Sequence, residues 1–165
     1  MLIEFSVANF RSFRDRVTLS LEAEPRISER DKTVDERNVA HTADGDLLRV
    51  VGIYGANAGG KSNLAVEVAL HASMGNGPRG EIITADAFQV YRGLDIGTAK
   101  PTPAEQRGVP HHLIDIRDPG EKFTVADWLG GAEKCIDAVR ARGKLPIVVG
   151  GTHLYIKSFL EGMFE

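Results

Sequence analysis

The sequence predicts an α/β fold, a parallel β-sheet flanked by helices with an antiparallel β-hairpin annex at the N-terminus. Three observations predict it. Residues 50–70, "VVGIYGANAGGKSNLAVEVAL", place Gly55, Gly60, Lys61 and Ser62 at the spacing of a phosphate-binding loop, with an apolar run before it and a helical pattern after it. Two more short apolar runs, "EIIT" and "LPIVV", follow with helical stretches between them, and strands alternating with helices favour parallel pairing. Residues 1–22 instead alternate with period two in two separate runs.

The elements follow in order. Ile3, Phe5 and Val7 share one face of a first strand, within residues 2–9, and Val17, Leu19 and Leu21 share one face of a second, within 16–22. Two antiparallel strands result, at the edge of the sheet or as an annex. Residues 24–46 are charged and without period, which predicts an exposed loop. "LLRVVGIYG" reads as one buried strand entering the glycine loop, with residues 48–53 at its centre. In the helix that follows, Leu64, Val68 and His71 are expected on one face. Strand 82–85 leads to Asp86. Residues 93–120 hold four of the seven prolines and predict a long irregular excursion. Thr124 reads as a helix N-cap with Asp127 three residues on, and the stripe Val125, Trp128, Leu129, Ala132, Ile136, Val139 runs on to a stop at Gly143. Strand 145–149, a "GGT" turn and a last helix start complete the pattern. The predicted organisation is an annex with a charged loop over residues 1–47 and a phosphate-loop α/β core over 48–165.

Composition sets the bounds. The 165 residues are enough for one buried core, and 42% hydrophobic with 26% charged residues is ordinary globular usage. The net charge of −3 is spread evenly, with 10 Lys/Arg against 11 Asp/Glu over residues 1–80 and 10 against 12 over 81–165. Neither half is the clustered basic surface that nucleic-acid binding draws on. Cys135 is single, so no internal disulfide forms. No apolar run reaches membrane-spanning length and the N-terminus is charged too early for a signal peptide, so a cytoplasmic protein without membrane contact is expected. The oligomeric state is not legible.

The loop carries the chemistry, in a P-loop NTPase-like setting. Its glycines let successive N–H groups converge on one anion at a helix N-terminus, whose dipole favours negative charge. Gly55, Ala56, Asn57, Ala58, Gly59, Gly60, Lys61 and Ser62 are the phosphate-binding residues on this reading, with Lys61 as a point charge and the Ser62 hydroxyl offered to Mg²⁺. ATP hydrolysis needs, in addition, an acidic residue at the end of a second apolar strand. Asp86 is the well-placed carboxylate, at the C-terminal edge where open α/β sheets keep their sites. The competing reading makes it a turn or helix-capping aspartate. His111 and His112 lack a partner at metal-ligand spacing and read as fixing the long loop. Trp128 and Tyr155 read as core, Cys135 as inert, and "RDPGEK" as a solvated turn.

Two resemblances meet at this loop. "GEIITADAFQVYRGLDIGTAKPT", "VPHHLIDIRDP", "FTVADW" and "GKLPIVVGGTHLYIKSFLEG" resemble tRNA dimethylallyltransferases (tRNA isopentenyltransferases), over residues of about 65–165. "MLIEFSVANFRSF" and "VVGIYGANAGGKSNL", within residues 1–64, are similar to the N-terminus of SMC/RecF/OLD-like ATPase heads. The chain thus resembles a chimera joined between residues 60 and 80. The first resemblance implies transfer of a dimethylallyl group from dimethylallyl diphosphate to the exocyclic amine of a tRNA adenosine beside the anticodon. It implies Asp86 as general base, Thr152 in the same channel as a catalytic residue, and Mg²⁺ beside the diphosphate. It further implies contacts of Ala87, Phe88, Gln89, Thr98 and Lys100 with the tRNA anticodon stem-loop. Members of that family are much longer, with further strands, a helical tRNA-clasping insertion and an arginine beyond the stretch matched here, so weakened transfer and RNA binding are expected of this chain alone. The second resemblance leaves ATP open as the loop's ligand, in an ATPase module or a non-catalytic nucleotide-binding fragment.

Overall fold

The computed structural model describes residues 4–7, 17–20, 39–42, 45–48, 51–54, 60–71 and 80–161. Twelve elements occur within them: β1 (Glu4–Val7), β2 (Val17–Ser20), β3 (Val39–Thr42), β4 (Gly45–Leu48), β5 (Val51–Tyr54), α1 (Lys61–His71), β6 (Gly80–Thr84), α2 (Pro103–Gln106), β7 (His111–His112), α3 (Val125–Ala141), β8 (Leu145–Gly150) and α4 (His153–Glu161). The α/β class read from the sequence is the observed one. β5, β8, β6 and β7 form a four-stranded sheet in that order, with every pair parallel. β1 and β2 pair antiparallel from Glu4↔Ser20 to Val7↔Val17.

Period two along the central strands divides the core between the two faces. Ile82 of β6 with Ile147 and Val149 of β8 join Val51 and the buried Ala65, Val66, Val68 and Ala69 of α1 on one face. Ile83 and Val148 turn to the other face, where Trp128, Ala132 and Ile136 of α3 and Tyr155 and Ile156 of α4 cover them. Trp128 is the anchor of that second layer. It is 1% exposed, stacks on Tyr155 at 5.0 Å between ring centroids, and donates its indole N–H to the Thr84 carbonyl at 2.7 Å. The donor would be costly to bury without that acceptor.

α3 begins where its local chemistry dictates. The Thr124 hydroxyl accepts from the Asp127 N–H at 3.2 Å, and the Asp127 carboxylate accepts from the Thr124 N–H at 2.8 Å, a reciprocal capping box. Gly143, at φ +69°, lies just past its end, as read from the sequence.

Several expectations are corrected. Part of the predicted 24–46 loop is a hairpin, since β3 and β4 pair antiparallel with Thr42 opposite Gly45; residues 24–38 lie outside the described residues. "LLRVVGIYG" is not one strand, because β4 ends at Leu48 in that hairpin and β5 starts at Val51 in the parallel sheet. The strand leading to Asp86 is not the neighbour of the phosphate-loop strand, because β8 lies between them. β8 is covered on both faces, with five of its six residues buried. Its Gly150 makes the close approach possible, since a Cβ there would stand 1.9 Å from the Ala85 carbonyl oxygen. His71 is exposed, and α1 presents Ala65, Val66, Val68 and Ala69 to the sheet, with Leu64 only partly buried. Gly80 lets α1 sit down on β6, because a Cβ there would meet the Ala69 Cα at 2.6 Å. The irregular excursion contains α2, capped by Thr102 and Glu105, and the edge strand β7. Among the described residues no helix is long and apolar enough to cross a membrane.

Candidate phosphate-binding active site

A cavity of about 300 Å³ opens at the C-terminal edge of the parallel sheet, where this fold class keeps its sites. The start of α1, the end of β6, the turn after it and residues 97–101 surround it, and Lys61, Ser62, Asp86, Gln89, Thr98 and His111 are among its lining. Gly55, Ala56, Asn57, Ala58 and Gly59 lie outside the described residues. Gly60 is described, at φ +76°, and its carbonyl accepts the Leu64 N–H at 3.0 Å, so the helix starts directly from the loop. That geometry puts the positive end of the α1 dipole, Lys61 and the Ser62 hydroxyl at one mouth.

Asp86 follows two residues behind the end of β6 and is 9% exposed. Its Oδ1 accepts from the Phe88 N–H at 2.9 Å and the Gln89 N–H at 3.3 Å. The turn aspartate of the competing reading is therefore real, and it coexists with a place in the cavity wall. One oxygen organises the turn; no hydrogen bond to Oδ2 occurs among the described residues.

The remaining predicted site residues divide. Gln89 and Thr98 line the cavity, and the Gln89 side-chain N–H₂ donates to the Thr98 carbonyl at 3.0 Å. Thr152 does not line it. Its hydroxyl accepts from the Ala87 N–H at 3.0 Å, its own N–H donates to the Ala85 carbonyl at 3.2 Å, and its carbonyl accepts from Tyr155 at 3.0 Å. It thereby ties the Asp86 turn to the start of α4. Ala87 is half-buried and Phe88 is 64% exposed, both outside the cavity lining. Lys100 is buried away from it, with its ammonium on Asp95, Asp115 and the Tyr91 carbonyl.

Two ionisable lining residues, Glu105 and His111, were not singled out as site residues from the sequence. Glu105 belongs to the α2 capping box, and no local pattern announces that it borders a cavity. His111 was read as a residue that fixes the loop, and it does so: its Nδ1 lies 2.8 Å from the Val109 carbonyl. A carbonyl only accepts, so the proton sits on Nδ1 and Nε2 is the acceptor nitrogen. Burial lowers the His111 pKa from its usual value and neighbouring His112 adds to this, against the Val109 carbonyl, which favours the charged ring. The ring is thus a neutral acceptor at neutral pH.

A second polar cluster lies at the opposite end of the same strand. Glu81, 3% exposed, is met by Arg142 at 2.6 Å, Lys144 at 2.9 Å and His112 at 2.6 Å. Burial alone would raise its pKa, but the hydrogen bonds from Arg142, Lys144 and His112 outweigh that and bring it down to about 2. Among the described residues no group of three His, Cys, Asp or Glu is arranged to hold a metal ion.

Comparison with known proteins places these residues in context. Residues 89–165 match the family model described as IPP transferase. The chain is 51% identical over 115 residues to tRNA dimethylallyltransferase 1 of Trichlorobacter lovleyi, covering 70% of this chain and 36% of that protein. It is 50% identical over 114 residues to the tRNA dimethylallyltransferase of Leuconostoc citreum, covering 69% and 37%. Among solved structures it resembles the full-length tRNA isopentenylpyrophosphate transferase of Bacillus halodurans, with a TM-score of 0.62 at 46% identity over 70% of this chain and 36% of that one. It also resembles a eukaryotic dimethylallyltransferase acting on tRNA, with a TM-score of 0.64 at 33% identity over 70% and 27%. The chain spans little more than a third of the length of the first two relatives.

Proposed function

We propose that this chain carries the phosphate-loop part of a tRNA dimethylallyltransferase and serves transfer of a dimethylallyl group from dimethylallyl diphosphate to the exocyclic amine of a tRNA adenosine near the anticodon. One observation carries the reading: Lys61 and Ser62 at the start of α1 line the same cavity as Asp86. The match of residues 89–165 supports the reaction class.

On this reading Lys61, the Ser62 N–H and the helix dipole bind the diphosphate. The adenine amine attacks the allylic carbon, the carbon–oxygen bond to the diphosphate breaks, and the amine proton passes to the Asp86 carboxylate. Asp86 is held by the Phe88 and Gln89 N–H groups, so it needs no reorientation as the bond forms. The charge that develops falls on the leaving diphosphate, and Lys61 with the N-terminus of α1 would stabilise it there. The donor set suits Mg²⁺: the Ser62 hydroxyl and diphosphate oxygens would hold the ion, which keeps several waters and does not require a protein cage. Such an ion would neutralise leaving-group charge. Ala87, Phe88, Gln89 and Thr98 are proposed to face the tRNA, and Thr152 supports the Asp86 turn. A cytoplasmic location accords with a tRNA substrate.

A second reading keeps ATP as the ligand. It is favoured by the spelling "ANAGGKSN" and by the two hairpins that precede β5, and it extends to an SMC/RecF/OLD-like origin for residues 1–64 with a join after the loop. The annex over 1–47 and the core over 48–165 belong to the same proposal. Asp86→Asn separates the two readings. Under the first, the variant binds dimethylallyl diphosphate as wild type does but loses transfer to an anticodon stem-loop by about 10²–10⁴-fold, the range for a general base. Steady ATP hydrolysis by wild type with no labelling of the RNA would instead establish the second.

A further inference from the structure

Lys100 carries a charge that the cavity chemistry does not use. Its side chain is 5% exposed, with the ammonium 2.7 Å from the Asp95 carboxylate, 2.5 Å from that of Asp115 and 2.7 Å from the Tyr91 carbonyl. Three acceptors use all three ammonium donors, so none is left for a phosphate of a bound RNA. Two carboxylates around one cation also leave the cluster net negative, the wrong sign for meeting a polyanion. Burial works against the charge, but the hydrogen bonds that the ammonium donates to Asp115 and Asp95 more than compensate, and it stays protonated through the neutral range.

What the cluster holds is the wall of the cavity. Gly97, Thr98, Ala99 and Pro101 line it, and Lys100 sits among them facing the other way. Ala99 has φ +50°, a left-handed conformation that is unfavourable for a residue with a Cβ. Such a conformation persists where surrounding contacts over-determine it. Here the Lys100 N–H donates to the Asp95 carbonyl at 3.1 Å, the Ala99 N–H to the Ile96 carbonyl at 3.2 Å, and Gln89 holds the Thr98 carbonyl. Asp115 brings in a segment fifteen residues away in sequence.

We infer that Lys100 is a positioning residue, whose buried ammonium on Asp95, Asp115 and the Tyr91 carbonyl holds residues 97–101 in the shape that a ligand meets beside Asp86. The identity of that ligand rests on the proposed function; the mechanical role does not. Two measurements on the full chain test it. Amide hydrogen exchange in Lys100→Met should quicken at Ala99 and Lys100 by about tenfold or more while Ile82 and Val148 keep their protection. With Mg²⁺ present, the same variant should bind dimethylallyl diphosphate about tenfold more weakly, and inorganic diphosphate within about twofold of wild type, because Lys61 and Ser62 are untouched. Asp95→Asn, which removes an exposed carboxylate, should move both readouts in the same direction by about two- to threefold, and decides the matter if Lys100→Met does not fold. Unchanged exchange at Ala99 and Lys100, or equal loss of both ligands, overturns the inference. If wild type binds dimethylallyl diphosphate no better than inorganic diphosphate, the proposed ligand is wrong, and the exchange result alone decides the role of Lys100.

Discussion

Glu81 and Asp86 stand five residues apart at the two ends of one strand, both buried, and their surroundings differ in kind. Glu81 meets three cationic or ionisable side chains, Arg142, Lys144 and His112. Asp86 meets backbone N–H groups through one oxygen and borders a cavity. A carboxylate enclosed by its counter-charges has its electrostatics settled within the fold. A carboxylate held by its own turn beside an open volume still has chemistry available. Burial alone would rank the two alike, and what each one faces separates structural acid from candidate base.

Variants sharpen this contrast, beginning with the largest effect. Gly150→Ala should damage both sheet and cavity. Its methyl group would overlap the Ala85 backbone, and neither β8 nor β6 can yield without moving the Asp86 turn. A loss of about 4 kcal/mol or more in urea unfolding is expected, in the range reserved for severe core clashes.

Glu81→Gln should cost about 3 kcal/mol, matching the work of lowering a carboxyl from 4.5 to about 2. Its effect on diphosphate affinity should be nil, because the cluster lies at the far end of the sheet. A Glu81→Gln chain that is fully stable yet fails to bind diphosphate would reverse the assignment of the two ends.

The same carboxyl gives a pH signature. Its folded pKa lies below its unfolded one, so its contribution is complete above about pH 4.5 and is lost as pH falls toward about 2. Thermal unfolding followed across that window should show wild type losing stability more steeply than Glu81→Gln. Parallel curves would mean that Glu81 does not carry the charge–charge energy assigned to it.

Thr124→Ala is the smallest of these changes. It removes the hydroxyl of the α3 capping box, far from the cavity, and should cost about 1 kcal/mol with no change in ligand binding.

What was legible in the sequence follows how local the cause is. The Thr124–Asp127 cap, the α3 stripe and the strand leading to Asp86 are set by residues within a turn or two of one another, and the structure has them within about two residues of where the sequence put them. The Glu81 cluster was invisible because His112 is 31 residues away and Arg142 is 61 away, and no local pattern reports a pairing at that range. The order β5-β8-β6-β7 was missed for a related reason. An apolar parallel strand shows that it is buried, but not which neighbours bury it. β3, β4 and β7 are only two to four residues long, too short to show a period, and pairing rather than pattern makes them strands. In the site, Lys61, Ser62 and Asp86 were legible through motif and strand end, whereas His111 and Glu105 reach the cavity only through the path of the 93–120 excursion. Lys100 shows the limit from the other side: its place in a motif suggested RNA contact, and its tertiary partners turn it inward.

The central claim is that the cavity at the C-terminal edge binds a diphosphate through the start of α1. Calorimetric titration of dimethylallyl diphosphate with Mg²⁺ into wild type and Lys61→Ala, with a melting curve for each, tests it directly. The account predicts saturable one-site binding by wild type, and ligand stabilisation of about 2.7 kcal/mol at a hundredfold excess over the dissociation constant. It predicts loss of both in Lys61→Ala, with the ligand-free melting temperature retained. Equal affinity in the two proteins would remove Lys61, and with it the phosphate loop, from the site.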